Sequence, residues 1–270
     1  MCMLVTRSVL LLVGTLLLAP LALADFDWSV ALEGDHRDEG NAARNSERHP
    51  RETLEFFGLE PGMTVLEVSP GGGWYTEVLA PLLMNNGRLI AAHYDPNGGA
   101  YSRRSLGGFL QKLSADNEVY HQVQVSYLQP PMSMMPAPAN SVDLAVAFRN
   151  VHSWMRMNQV EAFFASIYDV LKPGGVLGIV QHRGEPGTDV ETMKKTAYVT
   201  EEQVIEFAEL AGLELDGRSD INANPRDTKD YPGGVWTLPP VLREGDKDRA
   251  KYLAIGESDR MTLRFRKPTE

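Results

Sequence analysis

Cysteine is almost absent from this sequence, since Cys2 is the only one in 270 residues. It lies in an N-terminal segment that we expect to be removed, so the mature chain would form no disulfide and would have no thiol nucleophile or thiolate metal ligand. Cationic residues are also in deficit: 26 Lys and Arg face 36 Asp and Glu, and the formal net charge is -10. Because this excess repels phosphate, and the sequence shows no basic patch, we expect no nucleic-acid partner.

Long apolar runs are lacking after the first 24 residues. Within those residues, Arg7 precedes an apolar run of ten, residues 9–18, and Ala22-Leu23-Ala24 has the small-x-small spacing of a cleavage site. The run is shorter than the roughly 20 residues of a spanning helix. We therefore predict a signal peptide over 1–24, an exported, periplasmic protein, and no stable membrane span after cleavage. An uncleaved anchor is the alternative, because the apolar stretch continues to Ala24.

The remainder of the chain has the pattern of one α/β domain behind a polar leader. Residues 25–47 are rich in charge and predict a solvated arm or lid. Apolar, β-branched runs alternate with amphipathic segments over 48–267, which predicts a doubly wound, mostly parallel sheet of seven strands with a late antiparallel strand. Residues 219–260 are too long for a simple connection, so we expect an active-site cover or a small subdomain there.

A glycine turn follows the first predicted strand. Residues 64–68 are apolar and β-branched, Gly71-Gly72-Gly73 comes next, and apolar residues then repeat at helical spacing over 78–83. Because glycine has no Cβ, a ligand can approach such a turn closely and meet the amides of the helix N-terminus. An ordinary tight turn has the same pattern, so the choice depends on the rest of the chain.

Polar residues also follow the later strands, at the edge where a doubly wound sheet binds its ligands. Asp95 follows the second strand and is placed to accept hydrogen bonds from a ribose, although an Asp before proline is also a common turn residue. The fourth strand leads to Arg149, Asn150 and His152, and the fifth leads to His182. This convergence predicts one ligand site at that edge of the sheet.

Two cofactors suit the pattern. The glycine turn followed 22 residues later by Asp95 would also suit a dinucleotide. Three features favour S-adenosylmethionine. Glu67 lies inside the first strand, where a dinucleotide pattern needs no acid; a Leu-Lys-Pro-Gly-Gly turn at 171–175 precedes the fifth strand; and a late strand at 261–265 replaces a second βαβαβ half.

On these motifs the chain resembles the class I S-adenosylmethionine-dependent methyltransferases, over about residues 48–267. The motifs are Val65-Leu66-Glu67-Val68-Ser69-Pro70-Gly71-Gly72-Gly73, Tyr94-Asp95, Val142-Asp143-Leu144 and the turn at 171–175. More narrowly, the sequences of residues 70–76, 148–152 and 256–263 are similar to those of a group of exported, predicted bacterial methyltransferases. The resemblance names no substrate.

The resemblance implies a set of site residues. Glu67 and the glycine turn would hold the amino-acid end of the cofactor, and Asp95 would hold its ribose. The residues expected to bind cofactor are Glu67, Ser69, Gly71, Gly72, Gly73, Asp95, Arg149 and Asn150. Ser69 replaces the first glycine of the family motif and Pro70 follows it, so this turn is stiffer than the family's usual one.

His152 and His182 are the candidate catalytic residues. A histidine near its ordinary pKa can take a proton from a hydroxyl acceptor, whereas a structural histidine satisfied by the backbone is the plainer alternative. Arg149 and Arg183 could bind an anionic acceptor or the cofactor carboxylate, or could simply pair with surface acids. No set of side chains has a recognisable metal-ligand spacing, so we expect no metal.

These residues predict methyl transfer from S-adenosylmethionine to a small-molecule acceptor, with an oxygen acceptor slightly favoured over carbon or nitrogen. One alternative is an exported binding protein that keeps the fold without turnover, because no supply of this cofactor is obvious outside the cytoplasm. A nicotinamide-dependent oxidoreductase is a further alternative.

Overall fold

The computed structural model describes residues 25–269. The predicted signal peptide, residues 1–24, lies outside this part of the chain, so its cleavage stays a prediction. No helix between Asp25 and Thr269 is long and apolar enough to cross a membrane.

Seven strands form a single sheet in the order β3-β2-β1-β4-β5-β7-β6. The strands are β1 (Thr64–Val68), β2 (Arg88–His93), β3 (Gln124–Tyr127), β4 (Val142–Phe148), β5 (Leu171–His182), β6 (Glu214–Ser219) and β7 (Arg260–Arg266). The pairs among β1 to β5 are parallel, and β7 runs antiparallel to both β5 and β6. The predicted doubly wound sheet with a late antiparallel strand is therefore confirmed.

Helices lie on both faces of the sheet. They are α1 (Trp28–Glu33), α2 (Glu39–Ala42), α3 (Asn45–Arg48), α4 (Pro50–Phe57), α5 (Thr76–Leu83), α6 (Ala100–Ala115), α7 (Asn117–Tyr120), α8 (Val151–Arg156), α9 (Val160–Val170), α10 (Val190–Thr196), α11 (Glu201–Leu210) and α12 (Arg249–Ile255), with a 3-10 turn at Gly234–Thr237. Leu66 and Val68 of β1 share a core with α8, α9 and α11, while Val65 faces the core of α4 and α5. Burial on both faces explains why Val65, Leu66 and Val68 of this strand are all apolar, with Glu67 as the exception.

The direction of strand addition reverses beside β1. The chain moves outward from β1 through β2 to β3, and it then returns to place β4 on the other side of β1. The segments that follow β1 and β4 therefore lead to helices on opposite faces of the sheet, and a crevice opens between the carboxyl ends of these two strands. The glycine turn follows β1, and Arg149 follows β4.

The polar segment 25–47, for which a solvated arm or lid was predicted, is folded against the domain. α1 buries Ala31 against the core of α5. The guanidinium of Arg37 lies 2.9 Å from the carboxylate of Glu77, which is fully buried, and Asn41 donates a hydrogen bond to the same carboxylate at 2.8 Å. Arg37, one of the charges that suggested solvent exposure, is thus paired inward with an acid of α5, whereas Glu33, Asp35, Asp38 and Glu39 are exposed.

Two strands differ from their predicted bounds. The sequence predicts a third strand over 119–128. In the structure the first part of that range is helix α7, because the Asp116 side chain accepts a hydrogen bond from the Val119 amide and caps that helix. β5 begins at Leu171, earlier than the predicted 176. Its pairing with β4 shifts register across the Lys-Pro-Gly-Gly turn, where Gly174 has a φ of 78°.

Candidate functional site

A cavity of about 400 Å³ lies at the carboxyl ends of β1, β4 and β5. Its volume is within the range of small-molecule sites. Among the residues predicted for the site, those that line it are Ser69, Gly71, Gly72, Arg149, Asn150, His152 and His182. The structure therefore brings together most of the predicted set.

The glycine turn presents open backbone to this cavity. A Cβ built on Gly71 or Gly72 would have no atom within 4 Å, and Gly71 has a φ of 60°, which favours glycine. Ser69 also has a positive φ, 51°, and its buried hydroxyl has no hydrogen-bond partner among residues 25–269. An orphaned hydroxyl beside open backbone fits the polar amino-acid end of S-adenosylmethionine, so the turn is compatible with the predicted cofactor.

Glu67 lies beneath the turn and does not line the cavity. It is 2% exposed, and its carboxylate accepts a hydrogen bond of 2.6 Å from the Thr76 hydroxyl at the start of α5. Burial raises the pKa of Glu67 to about 7, although the hydrogen bonds from Thr76 act in the opposite direction. In this structure Glu67 connects β1 to α5 and so positions the turn between them.

Gly73 and Asp95 also lie outside the cavity lining. A Cβ on Gly73 would come within 2.8 Å of a side-chain carbon of Lys112, so this glycine permits close packing of α6. The Asp95 carboxylate accepts hydrogen bonds from the Ser133 hydroxyl and from the Asn97 amide, the latter at 2.7 Å. These contacts lower the pKa of Asp95. Its predicted contact with a ribose stays a prediction.

The end of β4 carries Arg149 and Asn150 into the cavity. Arg149 has a φ of 62°, and its amide donates to the Val180 carbonyl of β5 at 2.6 Å. The Asn150 side chain donates to the Val68 carbonyl at 2.9 Å, which ties the end of β4 to the end of β1. Within the described chain, the guanidinium of Arg149 makes no hydrogen bond or ion pair.

His152 and His182 face each other, with ring centroids 5.6 Å apart. Burial and the charge of Arg156 lower the pKa of His152 to about 3. Burial and the neighbouring His152 hold the pKa of His182 well below its ordinary value. Both rings are therefore neutral at physiological pH.

The two histidines have different hydrogen-bond partners. The amide nitrogen of Gln181 donates to the Ala197 carbonyl at 3.0 Å, and the same nitrogen lies 3.3 Å from Nδ1 of His152. That contact makes Nδ1 an acceptor, so the proton of neutral His152 is on Nε2. Nδ1 of His182 lies 2.6 Å from the Ser258 hydroxyl, which can donate or accept. His182 can therefore leave Nε2 free to take a proton, and it is the better placed base.

Three charged residues of the site were missed by the sequence analysis. Arg44 and Arg48 line the cavity together with Glu257, whose carboxylate lies 2.6 Å from Nε of Arg44 and 3.3 Å from Nε of Arg48. The carboxylate also accepts from Arg260 at 2.9 Å. Glu257 lies in segment 256–263, one of the motifs that carry the family resemblance, so the sequence could have indicated it as a site residue. Arg44 and Arg48 looked like solvated charges of the leader.

The long segment before β7 closes one side of the cavity. Trp236 lines the cavity and stacks between two guanidinium groups, with Arg243 at 4.6 Å and Arg156 at 4.8 Å from its ring centroid. Pro239 and Pro240 lie beside it in the cavity wall. Arg183, considered above as an anion-binding residue, does not line the cavity, and it pairs with acids such as Asp220 at 2.8 Å.

The central part of the chain is similar to a known family of domains. Residues 66–179 match the family model described as "Methyltransferase domain", a range that runs from β1 into β5. This range contains the glycine turn, Arg149, Asn150 and His152. His182 and the cavity wall formed by the late segment lie after it.

Curated proteins with similar sequences are named as methyltransferases. The chain is 29% identical over 134 residues to the ubiquinone/menaquinone biosynthesis C-methyltransferase UbiE of Shewanella sp. (strain W3-18-1), a match that covers 48% of this chain and 47% of that protein. It is 24% identical over 259 residues to the sterol 24-C-methyltransferase of Yarrowia lipolytica, covering 88% of this chain and 61% of that protein. The matches thus span less than two thirds of each relative.

A solved structure agrees with the fold over most of its length. A SAM-dependent methyltransferase from Aquifex aeolicus has a TM-score of 0.56 at 19% identity, and the match covers 90% of this chain and 99% of that one. At this identity the likeness concerns the fold, because one fold supports many reactions.

Proposed function

We propose that this chain is a class I S-adenosylmethionine-dependent methyltransferase, which transfers a methyl group from that cofactor to a small-molecule acceptor held in the cavity. One observation carries the proposal: the open glycine turn, the unpartnered Ser69 hydroxyl and the two neutral histidines face the same cavity. The turn supports cofactor binding, and the histidines at the ends of β4 and β5 support acceptor binding.

The residues of this chain hold the two reactants in position and provide one proton acceptor, His182. When bound, S-adenosylmethionine would supply the methyl group of its sulfonium: an electron-rich acceptor atom would bond to the methyl carbon in line as the carbon–sulfur bond breaks, with S-adenosylhomocysteine as the leaving group. Protein groups accelerate such a displacement mainly by holding the two reactants in line. Trp236, Pro239 and Pro240 form part of the wall against which the acceptor would lie. His182, oriented by Ser258, takes the proton of a hydroxyl acceptor, while His152 donates a hydrogen bond through Nε2.

Carbon and oxygen acceptors place similar demands on this site. The two curated relatives are named as C-methyltransferases, which favours carbon over the oxygen preferred in the sequence analysis. A carbon atom becomes nucleophilic when a neighbouring hydroxyl loses its proton, so the same histidine would serve either acceptor. We therefore propose a hydroxyl-bearing small molecule and leave the methylated atom to product analysis.

Calorimetry with three ligands tests the assignment on the folded, cofactor-free protein. We expect heat of binding with S-adenosylmethionine and S-adenosylhomocysteine and none with NAD. No heat with the first two would overturn the proposal, and heat with NAD alone would favour the oxidoreductase. Binding of S-adenosylmethionine without methyl transfer to any of a panel of hydroxyl-bearing acceptors would favour a binding protein, the alternative that the predicted signal peptide motivates.

Asp95 provides a residue-level test of cofactor binding. Its carboxylate has spare lone pairs beyond those used by Ser133 and Asn97, so it can still accept from a ribose. We expect Asp95→Ala to weaken S-adenosylhomocysteine binding by about tenfold to a hundredfold. Asp189→Ala is a matched control, because that carboxylate also accepts from a hydroxyl and an amide, both of Thr192. Equal affinities of the Asp95 variant and the wild type would make Asp95 a turn residue only.

We also propose that the protein is exported and cleaved before Asp25. The proposal rests on the Arg7 n-region, the apolar run and the Ala22-Leu23-Ala24 site. N-terminal sequencing of protein recovered from the periplasmic fraction is expected to begin at Asp25. A sequence beginning at Met1 would contradict cleavage.

A further inference from the structure

The cavity contains more cationic than anionic side chains. Arg44, Arg48 and Arg149 line it, and Glu257 is the one carboxylate among the described residues of its lining. The lining therefore has an excess of two positive charges. This local excess contrasts with a chain whose formal net charge is -10.

These arginines have unused hydrogen-bond donors. Arg48 is 2% exposed, yet its buried Nη1 has no partner among residues 25–269, and the same is true of the buried Nη2 of Arg44. Glu257 accepts through both carboxylate oxygens from Arg44, Arg48 and Arg260, whereas the guanidinium of Arg149 contacts no acid within residues 25–269. A buried donor without a partner is costly, so such donors mark a place where a ligand group is expected.

The electrostatic environment supports the same interpretation. Burial alone would raise the pKa of Glu257, but Arg48, Arg260 and Arg149 lower it to about 2. Burial and the charge of Arg149 lower the pKa of Arg48 to about 8, the direction expected for a cation with too little counter-charge. The guanidinium still holds its proton at neutral pH. His152 and His182, both neutral, supply no negative charge.

S-adenosylmethionine does not neutralise the excess positive charge of the cavity lining. S-adenosylmethionine carries an ammonium, a carboxylate and a sulfonium, so its net charge at neutral pH is positive. Its amino-acid end is a zwitterion and would leave the excess of the lining unchanged, while the sulfonium would add to it. An anion is therefore needed from another molecule in the cavity.

We propose that the acceptor carries a carboxylate or phosphate group, which Arg44, Arg48 and Arg149 bind beside the cofactor. This inference rests on the proposed function, because it assigns the acceptor's chemical class. Guanidinium groups suit it, since their planar pairs of N–H donors match the oxygens of carboxylate and phosphate. The anionic group anchors the acceptor and offsets the charge of the sulfonium before methyl transfer.

Calorimetric titration with inorganic phosphate tests the subsite without knowledge of the acceptor. The protein is first saturated with S-adenosylhomocysteine, and phosphate is then added in a chloride-free buffer. We expect saturable binding that weakens with ionic strength. Arg149→Asn is expected to weaken it by about tenfold or more. Asparagine tolerates the positive φ of Arg149, and the change leaves no acid unpaired.

Arg51→Gln is the matched control. Arg51 lies on α4, close in sequence to Arg48, but it is 54% exposed, pairs with Glu55 at 2.8 Å and does not line the cavity. We expect this variant to bind phosphate as the wild type does. Equal losses in the Arg149 and Arg51 variants would show a general charge effect and overturn the subsite.

The outcomes separate this inference from the proposed function. If S-adenosylhomocysteine binds but phosphate does not bind to the loaded protein, the anionic acceptor is refuted while cofactor binding stands. If phosphate and S-adenosylhomocysteine compete, the arginines hold the cofactor's own carboxylate, which also refutes the inference. If S-adenosylhomocysteine fails to bind while phosphate binds in an Arg149-dependent manner, the proposed function fails and the anion subsite stands by itself.

Discussion

Replacing Glu67 by glutamine should stabilise this protein, although it removes a charged residue from the most distinctive motif of the sequence. Glu67 is 2% exposed, and its partner is the Thr76 hydroxyl at 2.6 Å. A glutamine has the same shape, and its side-chain oxygen can accept the same hydrogen bond. The substitution therefore removes the ionisation of this site and little else.

The magnitude follows from the raised pKa of Glu67. Its pKa is about 7 in the folded protein against an ordinary 4.5, mainly because of burial. Between these two pH values the folded state binds more protons than the unfolded state, so the free energy of unfolding falls as pH rises. At 1.36 kcal/mol per pKa unit, full ionisation costs the folded state about 3 kcal/mol.

Urea unfolding of the wild type and of Glu67→Gln, each at pH 5 and pH 8, measures this cost. We expect the advantage of the variant to grow by about 2 to 3 kcal/mol between the two pH values, because most of the ionisation falls inside this window. Other titrating groups are common to both proteins and cancel in the difference. A difference that does not change with pH would refute the perturbed carboxyl.

The remaining two predictions concern the leader and the histidines. Glu77→Ala should destabilise the protein by about 3 to 5 kcal/mol, because it leaves Arg37 without its buried partner. Glu55→Ala, the control, should cost under about 0.5 kcal/mol, since the pair of Glu55 with Arg51 is exposed. Equal losses of the two variants in urea unfolding would contradict a stabilising buried pair. Nitrogen chemical shifts of His152 and His182 should stay those of neutral rings down to pH 5, with the proton of His152 on Nε2. A ring that titrates near 6.5 would disprove the burial argument.

Much of the fold could be predicted because the sequence patterns of the individual strands and helices all fit one sheet architecture. Apolar strands such as β1 and β4, separated by amphipathic helices, require a sheet covered on both faces. The carboxyl ends of such strands meet at one edge, so the predicted site residues of β1, β4 and β5 came together. Those inferences needed only periodicity and chain order.

The missed features depend on pairings across long stretches of chain. Arg44 and Arg48 join Glu257, more than 200 residues away, and Arg37 joins Glu77. A charged segment that pairs inward has the same composition as one that faces water. The third strand was predicted too long for a more local reason, the cap by which Asp116 starts α7.

Several groups that cost the folded protein stability lie around the cavity and its turn. Ser69 combines a φ of 51° with an unpartnered buried hydroxyl, Arg44 and Arg48 keep unused donors, and Glu67 holds a carboxyl whose ionisation opposes folding. Strain and unsatisfied groups of this kind persist where a ligand completes them. A ligand that binds only the folded state returns stability as the logarithm of its concentration over its dissociation constant. Cofactor and anion together should therefore raise the unfolding temperature more than either alone, and a rise no larger than the cofactor's own would show that the anion does not bind the cofactor-loaded protein.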